Sequence, residues 1–166
     1  MLYLLHDPEQ KVPENLISKG SYQVFLMSCR CGLPISFANH HWFVVNRNGV
    51  LSRWEILWQK DCCGKSWGHL HLNAKDPFKP IGLFSVQGTS FWEPTLLGRI
   101  EGGSGSVAEK MATFIENSPS VYPYCNKYFL SGPNSNTYVR WVLDQFPEFE
   151  ASLPWNAFGR GHEVKV

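Results

Sequence analysis

Positive charge is scarce and scattered in this chain. No run of Lys or Arg occurs anywhere, and the net charge is only +1 with a pI near 7.7. A fold that grips nucleic acid or an anionic membrane surface needs a basic field, so neither partner is expected. Long hydrophobic runs are missing as well. The N-terminal stretch MLYLLHDPEQ keeps four apolar residues after Met1 before His6 and Asp7 interrupt it. That is too short for a membrane span and wrongly flanked for a signal peptide, so a cytoplasmic protein is the expectation. No glycine pattern of the nucleotide-binding kinds is present. Gly102-Gly-Ser-Gly105 precedes a helical stretch but lacks the lysine and the strand–loop spacing, and reads as a connector. No internal repeat or low-complexity segment is visible, and no cofactor is expected. Nothing in the sequence speaks to oligomeric state.

Cysteine occurs five times, an odd number that argues against a closed disulfide framework. Mostly reduced thiols are expected, with Cys62-Cys63 as an unusual adjacent pair. What is abundant is aromatic: 14% of residues, seven of them Trp, enough for a core and a groove built from flat side chains. With 43% hydrophobic residues over 166 positions, one domain spanning 1–166 is long enough to bury a core of its own.

Tyr22 to Ser28 is a nearly continuous apolar run, the pattern of a central strand. His41 to Val45 forms a second strand. Asn48-Gly49 closes a hairpin onto a third at Val50 to Trp58, because both residues tolerate positive φ. Residues Gln59 to Pro80 are the least legible, with GHLHLN as a short strand. Ile81 to Val86 and Leu96 to Glu101 read as further strands. Ser106-Val-Ala-Glu109 is a capping box, and Val107, Met111, Phe114 and Ile115 share one face of a helix to about Asn117. Pro119 and Pro123 are expected to hold the chain out of helix beyond that point. After Gly132-Pro133 a second helix starts near Ser135, with Tyr138, Trp141, Val142 and Phe146 at helical spacing, and Pro147 stops it. The sum is an α+β fold, an antiparallel β-sheet with two main α-helices.

The chemistry-bearing residues fall into two groups. His41 opens a strand whose hairpin partner carries Glu55 roughly opposite, and a carboxylate there can orient an imidazole. Ser135 sits at a helix N-terminus, where free N–H groups and the macrodipole favour a nucleophile. Each has an ordinary structural reading beside the functional one: Ser135 or Asn134 as a helix N-cap, His41 as a satisfied, half-buried histidine, Glu55 as a solvated carboxylate. The second group is soft ligands: Cys29, Cys31, Cys62, Cys63, His69 and His71. Alternating pairs on strands share a face, so structural zinc is an alternative, although adjacent Cys62 and Cys63 would diverge in a strand. Cys125, alone among aromatics, reads as a buried apolar filler.

A strand opening with His-Trp and a later helix entered through Asn134-Ser135-Asn136-Thr137-Tyr138 resembles the circularly permuted papain-like class. That class includes NlpC-type amidases and lecithin:retinol acyltransferase-like enzymes, whose histidine precedes a helix-terminal cysteine. Here the cysteine slot holds Ser135, whose hydroxyl a helix dipole cannot ionise, so a base would have to take its proton during reaction. A longer set of motifs is similar to an uncharacterised bacterial domain family with a GPNSNT signature: HHWFVV, RWEILW, RIEG, YPYCNKYFLSGPNSNTYVRWVL and LPWNAFGR, about 39–160. The resemblance implies a permuted papain-like fold with a cleft holding His41, Ser135 and Glu55. Asn134 and Asn136 are its hydrogen-bonding neighbours, and Tyr124, Tyr128 and Arg160 candidates for its wall. Two readings of that cleft follow. One is a non-catalytic domain holding a small-molecule, peptide or lipid ligand. The other is a serine-dependent amidase, peptidase or acyltransferase with Ser135 as nucleophile and His41 as base.

Overall fold

A computed structural model describes residues 14–32, 34–81 and 93–165. After a short 3-10 turn at Glu14–Leu16, the elements are β1 (Tyr22–Arg30), β2 (Asn39–Arg47), β3 (Val50–Ile56), β4 (Lys65–Trp67), β5 (Leu70–Leu72), β6 (Thr95–Gly102), α1 (Val107–Val121) and α2 (Ser135–Leu143). Among the described residues the strands form one antiparallel sheet in the order β4-β5-β3-β2-β1-β6. The α+β class with an antiparallel sheet and two helices is therefore what the chain adopts. The strand expected at Ile81 to Val86 lies, beyond Ile81, outside the described residues.

The β2–β3 hairpin turns on Asn48 (φ 52°) and Gly49 (φ 96°), and its register starts at Arg47 opposite Val50. This is the two-residue loop that Asn-Gly favours. β1 and β2 are interior strands of the sheet and are buried on both faces, which is why their sequences are apolar almost without alternation. On one face Val24, Leu26, Phe43 and Val45 meet the helices through Met111, Ile115, Tyr138 and Val142. On the other, Phe25, Met27, Trp42 and Val44 are covered by Phe78, Ile81 and Leu96.

Two helix limits differ from expectation. α1 runs through Pro119 to Val121 rather than ending near Asn117. A proline in the last turn forfeits one hydrogen bond but leaves φ helical, and buried Ser118 bonds the Tyr138 hydroxyl at 2.8 Å, tying that turn to α2. α2 ends at Leu143, short of Phe146. No helix among the described residues is long and apolar enough to cross a membrane.

Candidate functional site

The segment from Gly132 to Thr137 is a set of internal fastenings. Asn134 is the N-cap of α2: its Oδ1 accepts from the backbone N–H of Asn136 (3.0 Å) and Thr137 (3.3 Å). Thr137 Oγ1 accepts from the Asn134 N–H at 3.1 Å, completing a reciprocal capping box. The remaining polar atoms reach outward to carbonyls. Asn134 Nδ2 donates to Phe129, Leu130 and Phe158, Asn136 Nδ2 to Asn39 and Phe158, and Thr137 Oγ1 to Gly159 at 2.7 Å. Gly159 has φ +90°, and a Cβ there would lie 2.4 Å from Asn134 Nδ2. The tail must therefore pass the cap as bare backbone.

His41 lies directly under this turn, fully buried. Its Nδ1 meets Asn136 Oδ1 at 2.7 Å and its Nε2 meets Ser28 Oγ at 3.1 Å. Because the Asn136 amide nitrogen is committed to two carbonyls, its oxygen must accept, so Nδ1 carries the proton and Nε2 takes one from Ser28. Burial pulls the ring down to about 4, against the Asn136 hydrogen bond that supports its charged form. The expected grouping of His41, Ser135 and Glu55 does not form. Asn136, not Ser135, reaches the ring, and among the described residues the Ser135 hydroxyl meets only Asn136 Oδ1, at 3.5 Å.

Glu55 is on the opposite face of the sheet, where it holds His40. Glu55 Oε2 accepts from His40 Nε2 at 2.8 Å and from Arg53 Nη2 at 2.8 Å, and Oε1 stands 2.7 Å from Arg53 Nε. All three side chains are buried. Burial alone would raise the Glu55 carboxyl, but His40 and Arg53 outweigh it and hold it down at about 2. Burial pushes His40 below the usual histidine range despite the carboxylate. Arg53 also donates to the carbonyls of Asp76 and Lys79 and stacks 4.2 Å over Trp42. Neutral His40, with its Nε2 proton on Glu55, keeps its Nδ1 lone pair. His40 is the residue the sequence reading passed over in favour of its neighbour.

His40, Ser135, Asn136 and Tyr128 line a cleft of about 560 Å³. Apolar walls come from Ile56, Leu57, Trp58 and Phe158, with Tyr128 packed edge-on to Trp58 at 5.4 Å. Asn39 also lines it and keeps a buried amide oxygen without a hydrogen-bond partner. Of the residues expected at the wall, Tyr128 is there, while Tyr124 and Arg160 are not. Tyr124 packs against His162, and Arg160 donates to the Trp155 carbonyl.

The soft ligands disperse. Cys29 is buried with its thiol pushed up to about 12 by burial, and Cys31 is raised to about 11 for the same reason. Cys62 and Cys63 are joined as a disulfide, and His69 turns its Nδ1 to the Leu57 carbonyl. Among the described residues only Cys62, Cys63 and His71 bring ligand atoms within 4.8 Å of one another. The six-residue zinc set does not converge.

No curated protein and no solved structure matches this chain. Residues 22–162 match the model of a family described as "Protein of unknown function (DUF3750)", a span that includes the sheet, both helices, the His40–Glu55–Arg53 cluster and the cleft. The chain is a member of that family.

Proposed function

We propose that this domain is a non-catalytic binding module, related to the permuted papain-like proteins, whose cleft takes a small apolar ligand carrying a hydrogen-bond-donating head. The observation that carries the reading is a buried acceptor at the cleft, Asn39 Oδ1, which has no hydrogen-bond partner among the described residues. An unpaired buried acceptor costs about 1–3 kcal/mol, which a ligand N–H or O–H recovers on binding. The cleft volume of about 560 Å³ falls inside the range of roughly 300–1,000 Å³ typical of small-molecule sites.

Support for the papain-like relationship is the placement of the α2 N-terminus over a strand histidine, with Asn136 Oδ1 at 2.7 Å from His41 Nδ1. An amide stands there in place of a nucleophile. Both His41 nitrogens are engaged, so His41 is not available as a base for Ser135, which favours binding over the expected His41–Ser135 turnover.

A short-chain alkyl primary amide and its methyl ester analogue, compared by titration calorimetry, test the head group. The amide is expected to bind saturably and the ester about tenfold more weakly, the worth of about one hydrogen bond. Gly32→Phe fills the cleft from a position where an added Cβ meets nothing within 4 Å, and should abolish both. Equal affinities in the wild type would refute the donor-head assignment. Fluorophosphonate labelling that disappears in Ser135→Ala would overturn the non-catalytic reading.

A further inference from the structure

Cys62 and Cys63 stand beside the cleft with His71 buried behind them, and their sulfurs and a His71 ring nitrogen lie within 4.8 Å of one another. Around zinc, tetrahedral ligand atoms are about 3.3–3.8 Å apart, from bonds of roughly 2.0–2.3 Å, so the His71 nitrogen needs to close by about 1 Å at most while the two sulfurs, once reduced, part from bonding distance. The imidazole is already oriented as a metal-bound histidine usually is. His71 Nε2 faces the Gln59 carbonyl at 2.9 Å, which requires the proton on Nε2 and leaves the lone pair on Nδ1. Among the described residues that lone pair meets only the Ser66 hydroxyl, at 2.7 Å. The same hydroxyl lies 3.1 Å from the Cys63 carbonyl, and its single proton cannot serve both acceptors. Ser66 can release Nδ1 and keep a hydrogen bond.

We propose that the reduced Cys62–Cys63 pair and Nδ1 of His71 form a three-ligand site for zinc, with the fourth position open on the cleft side. The site is closed while the two sulfurs are joined. A dithiol reductant opens it: two electrons and two protons convert the disulfide to two thiols, and the reductant becomes a cyclic disulfide. Zinc then displaces both thiol protons and binds two thiolates and a neutral imidazole. This differs from the dispersed six-residue set, since it uses neither Cys29, Cys31 nor His69. It stands whatever ligand the cleft takes.

The full chain, reduced with dithiothreitol and desalted anaerobically, is titrated with Co²⁺ as a spectroscopic probe and then with Zn²⁺. One equivalent of cobalt should bind with a thiolate-to-metal charge-transfer band, and zinc should displace it. Protein left oxidised should show no band. Cys62→Ser, Cys63→Ser and His71→Gln should each weaken binding by at least about tenfold, while Ser66→Ala, which frees Nδ1, should bind at least as tightly as the wild type. The proposal is overturned by a reduced, folded wild type without the band, by a band that survives His71→Gln, or by a Ser66→Ala variant that loses affinity. Should His71→Gln not fold, the cysteine variants and Ser66→Ala decide the question.

Discussion

His41 is held in one protonation state by its neighbours, and that has a measurable consequence. Burial holds the folded ring down to about 4, against 6.5 for a free imidazole, so the unfolded chain takes up a proton first as the pH falls. Stability from this residue is complete above about pH 6.5 and is lost as the pH drops through about 4. The slope is about 1.4 kcal/mol per pH unit, or about 3 kcal/mol in total. Urea unfolding at a series of pH values should show this slope, made shallower by one proton in His41→Gln. An unchanged slope in the variant would place the titration elsewhere. On the other face, Arg53 neutralises Glu55 with both side chains fully buried. Arg53→Met leaves that carboxylate buried beside His40 alone and should cost about 3–5 kcal/mol in denaturant unfolding. A loss under 1 kcal/mol would mean that the carboxylate is not held charged. The pairing of Glu55 with His40 was available from the sequence. A two-residue loop with Arg47 opposite Val50 brings position 42 opposite 55, so Glu55 shares a face with His40 and Trp42 while His41 points the other way. Locating the hairpin was not enough, because in a strand a one-residue choice changes the face.

The N-terminal turn of α2 converts three polar side chains into fastenings between the helix, β2 and the tail. Asn134→Ala removes a cap worth about 1 kcal/mol and two amide N–H donors, shared among three carbonyls and worth about 1 kcal/mol apiece at most, so a loss of about 2–3 kcal/mol is expected. Asn134→Ser retains a capping oxygen but no amide donor, and should fall between the wild type and alanine. Equal losses in both variants would assign the whole effect to the amide donors. The strands at 22–28, 41–45 and 96–101, the Asn48-Gly49 turn and the starts of both helices were legible, because apolar pattern, turn residues and capping residues are local signals. β4 and β5, three residues each, were not resolved as a pair, since so short a strand has too few alternations to declare itself. Pro119 misled for a related reason: proline forbids a helix interior strongly but a final turn only mildly, and tertiary contacts of Ser118 decided the outcome.

At the scale of the molecule, the last dozen residues complete the cleft as well as cover the core. The Asn156 carbonyl accepts from the Asn39 N–H, the Phe158 carbonyl accepts from Asn134 and Asn136, and the Gly159 carbonyl accepts from Thr137. Phe158 then supplies a wall of the cleft and packs edge-on to Phe37 at 5.8 Å. Sequence pattern could flag Trp155 and Phe158 as needing cover, but carbonyl acceptors carry no side-chain signature, so this strap was illegible. Removing residues 155–166 would strip carbonyl acceptors from the Asn39 N–H, Asn136 Nδ2 and Thr137 Oγ1, while Asn134 Nδ2 keeps the Phe129 and Leu130 carbonyls, and each buried donor left unpaired costs about 1–3 kcal/mol. The loss should therefore exceed what the exposed Trp155 and Phe158 could account for by area, and reach about 4–6 kcal/mol. Hydrogen exchange separates the two origins. If the strap acts through hydrogen bonds, amides of the first turn of α2 exchange fastest in the truncated chain, while those of β1 and α1 keep their relative protection. Uniform acceleration across the sheet would instead mean that the tail stabilises the molecule only by covering it.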